Sequence, residues 1–125
     1  MRDNSLRVLV VDDEPVMTMM MATFLKRFGY VAQTTNDSRE ALRLARDFKP
    51  QVVLLDINMP YLDGYEVAGL IRHEPELQSI PIICVSALDH DEHRSRAAAA
   101  GINRQLVKPC DFDQLRTLFA EVAPG

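Results

Sequence analysis

The stretch Leu6-Arg7-Val8-Leu9-Val10-Val11-Asp12-Asp13-Glu14-Pro15 is a short apolar run that breaks on three acids and a proline. Apart from Arg7 it is hydrophobic at successive positions, so both of its faces seek cover. It is also too short for a buried helix. A strand in the interior of a parallel sheet reads this way. The same pattern recurs twice: Val52 to Leu55 stops at Asp56, and Ile80 to Val85 stops at Ser86. Tyr30 to Thr34 and Asn103 to Val107 are weaker strand candidates, and the second is expected at a sheet edge.

Helical periods fill the intervals. Val16, Met20, Phe24 and Phe28 repeat at i, i+4 with Met17 and Met21 beside them, and predict the buried face of a first helix. Pro15 suits its first turn and Gly29 a left-handed stop. Asp37-Ser38-Arg39-Glu40 reads as a capping box ahead of Ala41, Leu44, Ala45 and Phe48, and Pro50 closes that unit. Val67, Leu70 and Ile71 mark a shorter helix after Asp63-Gly64. Asp111 with Gln114 resembles a second box, before a stripe of Phe112, Leu115, Phe119 and Val122. The segment from His90 to Ala100 differs: its apolar content is Ala97 to Ala100, so it gains little from burial and is expected to be the most easily displaced helix.

Strand and helix thus alternate five times with short connections. Five right-handed βα units predict an α/β fold: a doubly wound, five-stranded parallel sheet of order 2-1-3-4-5, flavodoxin-like. A chain of 125 residues fits one domain, here read as 1–125 with a core of about 6–122. With 47% hydrophobic and 26% charged residues it is a folding composition, and a net charge of −4 argues against a general nucleic-acid binder. No apolar run reaches the roughly 18–20 residues of a membrane span, and the start lacks a small-residue cleavage site, so the expected location is cytoplasmic. Cys84 lies in an apolar run and Cys110 follows Lys108-Pro109; both are expected as free thiols.

Ligands of open parallel sheets bind beyond the carboxyl ends of the strands. There this topology gathers Asp12 and Asp13, Asp56, Ser86 and Lys108. Two unit charges about 4 Å apart repel by roughly 4 kcal/mol at an effective dielectric of 20, so three carboxylates crowd one another beyond what Lys108 offsets. A hard divalent cation such as Mg2+ would relieve them, and would share its shell with phosphate oxygens. Metal, carboxylate nucleophile, cation and hydroxyl are the parts of a phosphoryl-transfer site. Each residue alone has a plainer reading: Asp13 or Glu14 as a helix cap, Lys108-Pro109 as a turn. It is their coincidence on one edge that points to function.

Val10-Val11-Asp12-Asp13-Glu14-Pro15, Leu54-Leu55-Asp56-Ile57-Asn58-Met59-Pro60, Asp63-Gly64, Val85-Ser86-Ala87 and Val107-Lys108-Pro109 resemble the signature stretches of response-regulator receiver domains, from about Leu6 to Val122. The resemblance implies a phosphorylation switch of a two-component system. Asp56 would be the phosphoacceptor, receiving its group from a histidine kinase or a histidine phosphotransfer protein. Asp12 and Asp13 would hold Mg2+ with Asp56, and Asn58 would lend a backbone carbonyl. Lys108, Ser86 and the Ala87 N–H would contact the phosphoryl oxygens. The Lys108-Pro109 bond would be cis. The resemblance further implies a domain that catalyses only its own phosphorylation and dephosphorylation, with no direct contact to nucleic acid or membrane. Ser86 would be the switch hydroxyl; where the family often carries a switch aromatic, this chain has Gln105, which would have to couple by hydrogen bonding unless another element carries the change.

Two other classes compete with this reading. Asp56-Ile57-Asn58-Met59 is superficially similar to the nucleophile loop of haloacid-dehalogenase-type phosphatases, but Asn58 stands where those carry a second Asp. A nucleotide or flavin binder would need a glycine-rich loop after the first strand, where this chain has acids. Within the receiver reading, Gly101 to Pro109 followed by Asp111-Phe112-Asp113 looks more like receivers of hybrid histidine kinases than free-standing ones. Among the remaining residues, most of the Met17–Met21 cluster is expected as core filler, with Met19 off the main face. His90, His93 and His73 are expected on solvated surface, as are Arg94 and Arg96.

Overall fold

Three strands with apolar side chains on both faces need neighbours on both sides, and they take the centre of the sheet. The structure, a computed structural model, describes residues 6–87, 91–108 and 111–122. Its strands are β1 (Arg7–Val11), β2 (Val31–Thr35), β3 (Val52–Asp56), β4 (Ile82–Ser86) and β5 (Arg104–Val107), all parallel, in the expected order β2-β1-β3-β4-β5. The helices are α1 (Pro15–Arg27), α2 (Ala41–Phe48, preceded by a 3-10 turn Ser38–Glu40), α3 (Gly64–His73), α4 (Asp91–Ala99) and α5 (Phe112–Val122). The two weak strand candidates are the two edges. Each begins one residue later than its hydrophobic pattern suggests.

Strand alternation divides the core in two. Leu9, Val11, Val53, Leu55, Ile82 and Cys84 face α2, α3 and Ala97 of α4. Val8, Val10, Leu54, Ile83 and Val85 face α1 and α5. Cys84 is fully buried, as expected; Cys110 lies outside the described residues.

The face of α1 is not the one its i, i+4 repeat suggests. Thr18, Met21, Phe24 and Leu25 are buried, while Val16 is 66% and Met20 50% exposed. Apolar side chains surround this helix, so periodicity alone does not choose a side. The sheet takes Met21 and Leu25, Thr18 receives the Asn36 amide beyond the end of β2, and α5 takes Phe24, whose ring stacks on Phe112 at 4.1 Å. The methionines therefore divide: Met21 is core, Met17 is half-buried, and Met19 and Met20 are exposed. A similar rotation leaves Leu70 of α3 outside and buries Ala68 beside Val67 and Ile71.

Caps follow the sequence more closely. Gly29 takes a left-handed φ of 87° at the end of α1. Asp111 accepts hydrogen bonds from the N–H groups of Asp113 and Gln114. Asp37 accepts from the Arg39 N–H at 2.9 Å, but Glu40 turns to Arg43, so the expected box at α2 is half formed. A full capping box is made at α3 by Asp63 and Glu66.

α4 buries only His93 and Ala97 among its residues. His93 overturns its expected solvated place: it is 1% exposed, and its Nδ1 meets the Tyr65 hydroxyl of α3. A helix with so little apolar content has no stripe strong enough to fix its rotation, and a polar bond across to α3 does so instead. His90 lies outside the described residues. His73 is exposed, as expected, and Arg94 pairs with Asp91.

Candidate functional site

The parallel register carries the ends of the strands to one level. Val11 pairs with Leu55 and Leu55 with Cys84, so Asp12 and Asp56 leave the sheet side by side, next to Val85 and Leu106. Lys108 follows β5 immediately, and its N–H donates to the Ser86 carbonyl at 2.8 Å.

The side chains converge. Asp12, Asp13 and Asp56 each offer a carboxylate oxygen, and these lie within 4.8 Å of one another. The Lys108 ammonium is 3.3 Å from Asp56 Oδ1 and 3.9 Å from Asp12 Oδ2. Asp12 and Asp56 are each 6% exposed, while Asp13 is half-buried. Ser86 is buried at the same edge, and Ala87 beside it is exposed. Asn58 lies exposed in the loop two residues past Asp56. Gln105 is half-buried in β5 opposite Cys84, below the level of the acids. Pro109, and with it the cis bond expected at Lys108-Pro109, is outside the described residues.

Burial is the largest influence on these charges. It pushes the Asp56 carboxyl up to about 6, with the Asp12 charge adding to the rise and Lys108 opposing it. Burial likewise raises Asp12, against the pull of the Glu14 N–H, which donates to its Oδ1 at 3.0 Å. Burial alone would lower Lys108, but Asp56 and Asp12 outweigh it and its ammonium is held above the usual range. Crowding of like charges, the cause expected from sequence, is thus second to desolvation.

Three residues to which the sequence reading gave no role at the site hold the loops in place. Asn36 Nδ2 donates to the Asp12 carbonyl at 2.8 Å and to Thr18 Oγ1 at 3.0 Å, tying the β1–α1 loop to the end of β2. Ser38 Oγ donates to the Pro60 carbonyl and accepts from the Leu62 N–H, fixing the β3–α3 loop. Gly64 packs against Asp56 so closely that a β-carbon would stand 2.5 Å from the Asp56 carbonyl oxygen. The topology places Asn36 at the ligand edge just as it does the acids, and that was its available signal.

An all-oxygen donor set of three carboxylates, two of them buried and opposed by one ammonium, fits a hard divalent cation and suits Mg2+. The same group offers an ionisable nucleophile beside a fixed cation, which is what acyl-phosphate chemistry requires.

Comparison with known proteins agrees with this arrangement. The family model of the response regulator receiver domain matches residues 8–120. Protein PilH of Pseudomonas aeruginosa is 31% identical over 119 residues, covering 95% of this chain and 98% of that protein. The chemotaxis protein CheY4 of Vibrio cholerae superposes with a TM-score of 0.89 at 30% identity, over 93% of this chain and 97% of that one. The receiver domain of the sensor histidine kinase PA1611 of P. aeruginosa, solved with a magnesium ion coordinated in its active-site cleft, gives a TM-score of 0.86 at 28% identity, over 94% and 97% of the two chains. No helix among the described residues is long and apolar enough to cross a membrane. Fold, acid edge and family model agree over nearly the whole length, and the chain belongs to the response regulator receiver domains of two-component systems.

Proposed function

We propose that this chain is a phosphorylation switch. Asp56 accepts a phosphoryl group from a phosphohistidine on a histidine kinase or a histidine phosphotransfer protein, and the β4–α4–β5 face then changes conformation. One observation carries the reading: Asp56 is a buried carboxylate whose Oδ1 lies 3.3 Å from the Lys108 ammonium, with the oxygens of Asp12 and Asp13 close by.

In the transfer an Asp56 oxygen forms the bond to phosphorus as the phosphorus–nitrogen bond of the donor breaks, and the departing imidazole takes up a proton. With its pKa near 6, Asp56 is ionised at neutral pH and available as the nucleophile. Lys108 follows the charge from the carboxylate to the phosphoryl oxygens. Ser86 and the Ala87 N–H bond those oxygens after transfer. Asp12, Asp13 and Asp56, with the Asn58 carbonyl, would hold Mg2+, which when bound neutralises charge on the phosphoryl oxygens; the magnesium-bound PA1611 receiver supports this. The domain modifies only itself and is reset by water, so it turns over no external substrate. It works in the cytoplasm through protein contacts, without touching nucleic acid or membrane.

The test is intact-protein mass spectrometry after treatment with acetyl phosphate. Wild type is expected to gain one acid-labile phosphoryl group with Mg2+ and almost none in EDTA, and Asp56→Asn none in either. Equal labelling of Asp56→Asn would refute the assignment.

A further inference from the structure

α4 buries few side chains among the described residues. Of its two buried side chains, Ala97 contributes one methyl group and His93 is an imidazole. A buried polar group anchors a helix only through the bond it makes. One such bond runs to the hydroxyl of Tyr65. Arg96, three residues further along α4, lays its guanidinium over the same ring, 4.1 Å from the centroid. Two residues of α4 thus grip one tyrosine of α3.

Tyr65 is fixed in turn to the backbone of Asp56. It follows Gly64, whose N–H donates to the Ile57 carbonyl at 2.8 Å. The start of α3 lies so near the Asp56–Ile57 peptide that a β-carbon at position 64 would be 2.5 Å from one backbone atom and 2.8 Å from the next. With no free space between them, a displacement of that peptide carries Tyr65 with it. The capping box of Asp63 and Glu66 stiffens the same turn. β5 offers no comparable aromatic handle, because its half-buried central side chain is Gln105.

We propose that Tyr65, gripped by His93 and Arg96, couples Asp56 to α4, so that the signal leaves the site through α3 and not through a side chain of β5. The proposal rests on Asp56 being the phosphoacceptor. Tyr65 and His93 are positioning residues in it.

The experiment is amide hydrogen exchange over residues 91–99, with and without acetyl phosphate and Mg2+, in wild type, Tyr65→Phe, His93→Leu and His93→Gln, with the intact mass read on each sample. In wild type, phosphorylation is expected to speed exchange in α4. Tyr65→Phe and His93→Leu should each speed it about fivefold before phosphorylation, the value of one ordinary hydrogen bond, and then respond no further, although both still gain a phosphoryl group. His93→Gln keeps a partner for the Tyr65 hydroxyl and should recover the response, which a purely space-filling role for His93 would not produce. His93→Leu retains buried apolar volume and so decides the matter if Tyr65→Phe does not fold. A full wild-type response in the phosphorylated Phe and Leu variants, or a phosphorylated wild type with unchanged α4 exchange, would overturn this proposal alone. Absence of any mass gain in wild type would overturn the assignment of Asp56, and the coupling with it.

Discussion

Asp56 stores unfavourable free energy in the metal-free protein. Its carboxyl titrates near 6 in the folded chain, against about 4 in an unfolded one. The folded state therefore holds more protons between those values, and stability falls as pH rises through that window; above about pH 6 the penalty is complete. Asp56→Asn removes the charge that burial opposes. In EDTA at pH 7.5 the variant is expected to be more stable than wild type by about 1–3 kcal/mol, with the difference vanishing towards pH 4. Urea midpoints measured across that range check it, and a less stable variant at pH 7.5 would show that the Lys108 pair outweighs desolvation. Cys84 is a second buried titratable group, its thiol pushed up to about 11 by burial. Peptide mapping after a thiol reagent at pH 8 should find it unlabelled in the native protein and labelled in urea.

At the scale of the element, α3 contains its own control experiment. Gly64→Ala forces a methyl group onto the Asp56 carbonyl, where backbone and not a flexible side chain must yield. The expected cost is about 1–3 kcal/mol or more, with slower phosphorylation of Asp56. Gly69, in the same helix, borders open space, and a β-carbon there would meet no atom within 4 Å. Gly69→Ala should therefore stabilise by about 0.5–1 kcal/mol through helix propensity. Thermal or urea unfolding of both variants separates close packing from propensity. On α1, Leu25→Ala should cost about 2–5 kcal/mol, whereas Val16→Ala, on the exposed side, should stay within about 0.5 kcal/mol. Equal losses at the two positions would mean that the helix is rotated from the orientation described.

At the scale of the whole molecule, the ligand edge joins the ends of separate strands, so what binds there stabilises the entire fold. Mg2+ at ten times its dissociation constant is worth about 1.4 kcal/mol, a rise of several degrees in Tm for a domain of this size. Calorimetry in Mg2+ and in EDTA should show that rise in wild type and its loss in Asp12→Asn. An undiminished rise in that variant would place the ion elsewhere.

The sequence by itself determined what depends on local pattern. Apolar runs ending in Asp12, Asp56 and Ser86 specified strands, the alternation with helices specified a parallel sheet, and the sheet's polarity brought acids and Lys108 to one edge. These signals are legible because strand burial on both faces and helix periodicity are written in consecutive residues. The tertiary structure alone decided which side of α1 is buried, that His93 is internal, that Gly64 abuts the Asp56 carbonyl, and that desolvation exceeds charge crowding at Asp56. Each of these is set by contact between segments distant in the chain. A helix apolar all round, or one with almost no apolar face, has no preferred rotation until a neighbouring element supplies the surface it packs against.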